Sequence, residues 1–423
     1  MEKSITEGLL QFIDHSPSVF HAVENVKNEL LDSGFVQLFE GERWELSPGG
    51  SYFVTRNGSA VIGFKLPKGE NMGFNMVAAH SDSPTFKIKE NAEITVKDRY
   101  LCLNTEGYGG MIMSTWFDKP LSVAGRVILK KEGKYIQRLV NVDRDLLIIP
   151  SLAIHMDRGV NDGKKLNPQT DLMPILGSGA EKGGFLKLVG EAAGCDPSDI
   201  MGMDLSLYNR QRGCVFGLKN EYIGAPKLDD LQCVYGALQG LKQGAPTTKA
   251  AVLGVFDNEE VGSATKQGAG STFLYDTLTR VNNSLGYTSE YYLQSVANSF
   301  MISADNAHAV HPNNVALADP TNQPYINNGI VIKYSANQKY TTDGLSAAMF
   351  KGLIKACGLE YQSFANRSDM PGGSTLGNIS ATKVAANTVD IGLPQLAMHS
   401  SFETAGTRDT EDFVKVCSVH FSE

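Results

Sequence analysis

The chain has 423 residues, 42% of them apolar and 20% charged, the make-up of a globular enzyme with core enough for two domains. Its formal net charge of −8 argues against a nucleic-acid groove or an anionic membrane as partner, and an acidic ligand would need a local cation. Six scattered cysteines without a CxxC pair, no membrane-length apolar run, and no basic-then-apolar order in residues 1–7 lead us to expect a cytoplasmic protein with reduced thiols.

Residues 9–13 and 19–31 carry apolar positions at helical spacing, parted by Asp14-His15-Ser16-Pro17-Ser18, which predicts two helices with a kink or cap between them. Stretches 51–55, 60–65 and 73–79 predict strands, the last nearly all apolar and therefore central in a sheet. From about Lys87 short alternating runs (88, 92–96, 101–103, 121–129, 135–139 and 146–149) are separated by Gly, Asp and Asn turns. This is the texture of a β-rich insertion, continuing to about Phe216 through a helix over 184–193. After Tyr222 an α/β pattern returns, with helices over 231–241, 271–282, 345–357 and 409–421. Strands over 250–256, 299–305, 329–335 and 385–391 alternate with them. The expectation is an α/β protein in which residues 1–90 and 220–423 form one discontinuous domain around an inserted β-rich domain of residues 91–219.

Chemistry gathers at the predicted strand ends, where open α/β sheets place their sites. Glu259 and Glu260 follow the run 250–256 and open the turn Val261-Gly262-Ser263. Strand alternation would turn the two acids to different sides, one toward a metal and one toward a water. His80-Ser81-Asp82 follows the strand 73–79, and His80 and Asp82 can share a face; the plain alternative is a polar loop. Asp229 and Asp230 precede the helix over 231–241, so either can be its N-cap while the other binds. Asp305 leads into a segment with His308 and His311, one of which can be a packed histidine, and His399 follows another apolar stretch. Two histidines and three carboxylates without thiolate suit a hydrolytic Zn²⁺ site, with Mn²⁺ or Co²⁺ as alternatives. One shared carboxylate can bridge two ions roughly 3.5–4 Å apart.

These blocks, in this order, resemble the aspartyl aminopeptidase family of zinc metallopeptidases. The matching segments include Ala79-His80-Ser81-Asp82-Ser83-Pro84, Leu228-Asp229, Phe256-Asp257-Asn258-Glu259-Glu260-Val261-Gly262-Ser263, Asp305-Asn306-Ala307-His308 and Ala397-Met398-His399-Ser400. Tyr108-Gly109-Gly110, Trp116 and Ile154-His155-Met156-Asp157-Arg158 match within the insertion. The resemblance implies a zinc-aminopeptidase-like α/β/α catalytic domain with an inserted dimerisation domain. It implies two zinc ions per subunit, one held by His80, Asp229 and Asp305, the other by Asp229, Glu260 and His399. Asp82 would orient the His80 ring and Glu259 would be the general base. Lys333, in Ile330-Val331-Ile332-Lys333-Tyr334, would read an acidic substrate side chain, with Tyr340 and His308 also touching substrate. Read as a bare strand lysine, Lys333 would face solvent. The resemblance further implies that His155 reaches a neighbouring subunit's site, in dimers that build toward a dodecamer.

Two positions depart from the family pattern: Asp230 replaces an Asn after the bridging Asp, and Phe402 replaces an Arg ahead of Glu403. The leading expectation is removal of N-terminal Asp or Glu from small peptides. A neutral aminopeptidase, an amidohydrolase with the same metals, and a catalytically silent scaffold are the competing readings.

Overall fold

In the computed structural model residues 4–179 and 182–423 are described, so the reading of residues 1–7 falls partly outside the described residues. A nine-stranded mixed sheet forms the backbone of the molecule. In order across the sheet its strands are Val36–Leu38, Ser51–Arg56, Ala60–Lys65, Ala250–Phe256, Phe74–His80, Phe300–Ala304, Asn387–Gly392, Ile330–Tyr334 and Tyr361–Ala365. Four neighbours, Ala250–Phe256, Phe74–His80, Phe300–Ala304 and Asn387–Gly392, run parallel. Their near-continuous apolar sequences suit strands covered on both faces, and every residue of Phe74–His80 and Ala250–Phe256 is buried.

Alternation divides the core in two. Val77, Ala79, Leu253 and Val255 face helices Ile5–Asp14, Val19–Asp32, Leu228–Gln243 and Asp409–His420. Met76, Ala78 and Val252 face the opposite layer, with Phe273–Ser284, Ser289–Ala297 and Leu376–Ser380. The helix Ser289–Ala297 escapes the sequence pattern; Thr288 caps it by accepting from the Tyr291 N–H at 3.1 Å.

A second, six-stranded sheet takes the order Lys134–Asn141, Leu121–Lys131, Ile200–Asn209, Thr85–Val96, Tyr100–Tyr108 and Ile175–Ser178. The expected break between 88 and 92 is a bulge within one long strand, Thr85–Val96. Residues 146–149 make only isolated bridges, Leu121 to Leu147 and Ile148 to Ile175, rather than a strand. Phe86, Leu103, Trp116, Val127, Phe185 and Leu205 fill a separate core. A third sheet joins Cys214–Phe216, Tyr222–Ala225, Glu403–Gly406, Pro394–Leu396 and Ala307–His308. No helix among the described residues is long and apolar enough to cross a membrane.

Candidate metal centre

Because the four parallel strands end together, their last residues meet at one rim. His80 closes Phe74–His80 and is buried. Its Nδ1 lies 3.1 Å from the Asp82 carbonyl and 3.5 Å from Asp82 Oδ1, which turns Nε2 toward Asp229 Oδ1 at 3.3 Å and Asp305 Oδ1 at 3.7 Å. The second oxygen of Asp229, Oδ2, is 3.4 Å from His399 Nε2, which is 3.3 Å from Glu260 Oε2. His399 Nδ1 donates to the Gly110 carbonyl at 2.7 Å. Both rings are thus tethered through Nδ1 and present Nε2 to the acids, the arrangement of metal-binding histidines.

The two glutamates are not set by strand alternation, and ligand atoms of both lie within 4.8 Å of each other and of His80. The strand stops at Phe256; Asn258 takes φ +63°, Glu259–Val261 forms a single 3₁₀ turn, and Gly262 follows at φ +96°. The Glu259 and Glu260 N–H groups donate to the two oxygens of Asp82 at 3.1 and 3.2 Å, so Asp82 holds the turn as well as His80. Nor does an aspartate cap the helix Leu228–Gln243. Lys227 sits at φ +57°, and Asp229 (φ −80°, ψ 107°) and Asp230 (φ −119°, ψ 21°) leave helical geometry, dropping both side chains inward. Asp230 Oδ2 accepts from the His80 N–H at 3.0 Å. The departure at Phe402 is filled by packing: a Cβ on Gly224 would meet its ring at 2.7 Å.

Electrostatics follow from so many carboxylates in a buried place. Burial opposes a charge on His80, but Asp230, Asp229, Asp305 and Asp82 together raise its pKa well above the ordinary imidazole value. Burial likewise disfavours charge on His399, yet Asp229 and Glu260 carry it up to about 10. Asp229 moves the other way: burial is outweighed by its two histidines, which hold it below the usual carboxylate range. Glu259 is raised to about 8, first by burial and then by neighbouring Asp305, Asp82 and Asp229 against the relief from His80. Glu260 is pushed well up by burial and by Asp229.

A cleft of about 370 Å³ opens over the cluster, lined by Glu259, Glu260, Lys333, Tyr340, His308 and His399 among others. Lys333 does not face solvent: it is 3% exposed, with Nζ 3.2 Å from Asp305 Oδ2 and 5.4 Å from the Tyr340 ring centroid. Burial alone would discharge it, and Asp305 keeps its pKa raised. His308 stands exposed at the cleft with its ring 5.9 Å from that of Phe364. His155 is exposed on the chain's inserted region and does not line this cleft.

Three organising residues were missed in the sequence. Glu403 accepts from the Asp229 N–H at 3.0 Å and the His399 N–H at 2.7 Å, joining the two segments. Tyr108 donates to Asp82 Oδ2 at 2.6 Å. Asp390 accepts from Thr341 N–H at 2.5 Å and Thr375 Oγ1 at 2.7 Å, tying the loop after Tyr340 to Thr375, which also lines the cleft. The position of Glu403, four residues after His399, and the matching block Tyr108-Gly109-Gly110 offered a sequence signal; Asp390 offered none.

A model of the aminopeptidase I zinc metalloprotease (M18) family matches residues 12–421. The chain belongs to the M18 family. It is a zinc-dependent metallo-aminopeptidase, similar over its whole length to others of the family. A probable M18 family aminopeptidase 2 from Clostridium acetobutylicum is 48% identical over 416 residues, 96% of each chain. A probable aspartyl aminopeptidase from Ricinus communis is 36% identical over 467 residues, covering 99% of this chain and 94% of the relative. The mApe1 dodecamer of S. cerevisiae has subunits that superpose with a TM-score of 0.87 at 26% identity, covering 99% of this chain and 96% of that one.

The residues present fit zinc. Ligand atoms of His80, Asp229, Asp230 and Asp305 lie within 4.8 Å of one another, as do those of Asp229, Glu260 and His399. Asp229 Oδ1 and Glu260 Oε1 are buried without a hydrogen-bond partner among the described residues, a costly state that a cation relieves.

Proposed function

We propose that this M18 enzyme uses two zinc ions per subunit and a glutamate base to remove N-terminal Asp or Glu from small peptides. The carrying observation is Asp229, whose two oxygens address different histidines at 3.3 and 3.4 Å, as a bridging ligand must. His80, Asp229 and Asp305 would hold one ion and Asp229, Glu260 and His399 the other, with Mn²⁺ or Co²⁺ as substitutes. When bound, the metals polarise the scissile carbonyl and lower the pKa of a water. Glu259 sits beside them on a turn fixed by Asp82, and its elevated affinity for a proton suits a group that takes one from the water and returns it to the leaving amine.

Lys333 supports the acidic preference. Its ammonium lines the cleft in a buried setting, where a substrate carboxylate would gain a charge-assisted hydrogen bond. Tyr340 and His308 would wall the same pocket, and the name of the Ricinus relative agrees. We read the catalytic domain as residues 1–90 and 220–423, and residues 91–219 as the dimerisation domain. Leu152, Ile154 and Met156 around His155 are 51%, 47% and 75% exposed, as an interface requires. His155 would enter a partner's site, in dimers building toward a dodecamer like the yeast assembly.

Zinc-reconstituted protein offered Asp-, Glu-, Leu- and Ala-p-nitroanilides tests the reading. Acidic substrates should be cleaved fastest and chelator should abolish the activity. Preference for leucine would overturn the specificity, and chelator-resistant cleavage would overturn the metal chemistry.

A further inference from the structure

The two histidines of the centre come from distant parts of the chain, yet the tethers of both pass through one short segment. Tyr108, the last residue of Tyr100–Tyr108, donates its hydroxyl to Asp82 Oδ2 at 2.6 Å and accepts from Asn258 Nδ2 at 2.8 Å. Asp82 in turn receives the Glu259 and Glu260 N–H groups, and His80 Nδ1 lies 3.1 Å from its carbonyl and 3.5 Å from its Oδ1. Two residues on, the Gly110 carbonyl accepts from His399 Nδ1 at 2.7 Å, and the Ile112 N–H donates to the His399 carbonyl at 2.9 Å. Between them Gly109 adopts φ +74°, a conformation that favours glycine. A Cβ there would stand 3.1 Å from Glu260 Cβ and 3.4 Å from Pro84 Cγ, so the backbone passes directly against the glutamate doublet.

We infer that Tyr108-Gly109-Gly110 is a positioning segment through which the six-stranded sheet sets the orientation of both histidines and of the Glu259-Glu260 turn. The inference rests on the metal-centre part of the proposed function, but not on its substrate preference. The physical argument is that a metal-binding imidazole is as well directed as the acceptor on its other nitrogen. For His399 that acceptor is Gly110 itself. For His80 it is the Asp82 residue, whose carboxylate, apart from the Tyr108 hydroxyl, accepts from backbone N–H groups of the turn it must fix. The Tyr108 hydroxyl, buried and anchored by Asn258, supplies the outside reference. The segment does not itself touch the reacting atoms. Its effect is transmitted through Asp82 and His399, and it makes the inserted sheet part of the active site's frame.

The test uses the full chain. Tyr108→Phe keeps the ring and removes only the hydroxyl. Asn258→Gly removes the amide that anchors that hydroxyl, together with the Oδ1 that accepts from Thr265 Oγ1 and Gln267 Nε2 at 2.8 Å each, at a backbone conformation glycine accepts (φ +63°). For each, the melting temperature of the metal-free protein, zinc retention against a competing chelator, and kcat and KM on the preferred p-nitroanilide are measured. Tyr108→Phe should hold zinc about 10–100-fold more weakly, with kcat reduced, KM little changed and metal-free melting at the parental value. Asn258→Gly should shift the same readouts in the same direction by less. Parental zinc retention and kcat in a folded Tyr108→Phe protein would overturn the inference. So would a lowered metal-free melting temperature with parental zinc retention, which marks a merely structural contact. If Tyr108→Phe fails to fold, the comparison of Asn258→Gly with Thr265→Val decides, since the latter removes one of the turn's own bonds and spares the hydroxyl's anchor: weaker zinc retention in Asn258→Gly alone supports the inference, and equal loss in both overturns it. Should the parent bind zinc but cleave none of the peptide substrates, the proposed function fails, while the zinc-retention comparison still decides this inference.

Discussion

His80 and His399 offer the same ring nitrogen to the same aspartate, yet the molecule holds them by opposite means. His80 ends a central strand whose seven residues are all buried, and its position is inherited from the packing of Val77, Ala79, Met76 and Ala78 into two cores. The side chain of His399 is 29% exposed, its backbone has φ +67°, and no regular element carries it. It is fixed instead by single hydrogen bonds, donated to the Glu403 carboxylate and the Gly110 carbonyl and accepted from the Ile112 N–H. The centre thus has a floor set by core packing and a rim set by contacts between distant segments. Damage to the floor should register as stability, whereas damage to the rim should register as turnover or metal retention in an intact fold.

The largest expected effect falls on the rim. Glu259→Ala should reduce kcat about 10³-fold while the protein keeps its zinc and its melting temperature. Steady-state kinetics with metal analysis checks it. A variant that retains normal kcat removes Glu259 from the base role. One that loses zinc and melts early would show the rim to be structural too, and the contrast with the floor would collapse.

A pH experiment probes the floor's support. His420, on the helix Asp409–His420, lies under the central strand with Nε2 3.2 Å from the Met76 carbonyl, and burial lowers its pKa to about 4. Unfolded, it titrates near 6.5. Between these values the unfolded chain binds the extra proton. His420 therefore stabilises the fold in full above about pH 6.5, and that contribution, about 3 kcal/mol, is lost as pH falls toward 4. His420→Gln, which cannot titrate, should narrow the stability gap to the parent between pH 7.5 and 4.5 in denaturant melts of metal-free protein. A gap that stays constant with pH would mean that His420 is not the group responsible.

Lys333 belongs to the cleft wall, between floor and rim. Lys333→Ala should lower kcat/KM for aspartyl and glutamyl substrates roughly 10–100-fold, the worth of a charge-assisted hydrogen bond. Leucyl cleavage should change little. Equal losses on both would assign the lysine to holding Asp305, 3.2 Å away, rather than to reading substrate.

The same division explains what could be read from the residues alone. The parallel strands are legible because an apolar run buried on both faces has few other fates, and His80 and Asp305 follow from where those runs stop. The shape of the Glu259-Glu260 turn was not legible, because it depends on Asn258 at positive φ and on an acceptor, Asp82, 177 residues away in sequence. Asp229 and Asp230 carried the composition of a helix cap, and only the packed site shows both drawn inward. Lys333 looked like a solvent-facing lysine since strand alternation says nothing about what covers the other face. Glu403 and Tyr108 act wholly through contacts between segments far apart in the chain, for which local periodicity carries no signal.

Glu403 gives the smallest expected effect and the sharpest test of the contrast, because one carboxylate bonds the backbone N–H of Asp229 and of His399 at once. Its Oε2 accepts from Asp229 N–H and its Oε1 from His399 N–H, in a pocket where burial and Asp229 raise its pKa to about 8. Glu403→Gln keeps one acceptor and turns an NH₂ group toward the other N–H, so one of the two bonds must fail. Asp229 leads into the buried helix Leu228–Gln243, whereas His399 depends on such bonds, so the failure should fall on His399. Turnover should drop about tenfold, and if two zinc ions are held as proposed, one equivalent should leave under chelator well before the other. Loss of both equivalents together would place Glu403 with the floor. Parental zinc release and parental kcat would show that Gly110 and Ile112 suffice to hold His399.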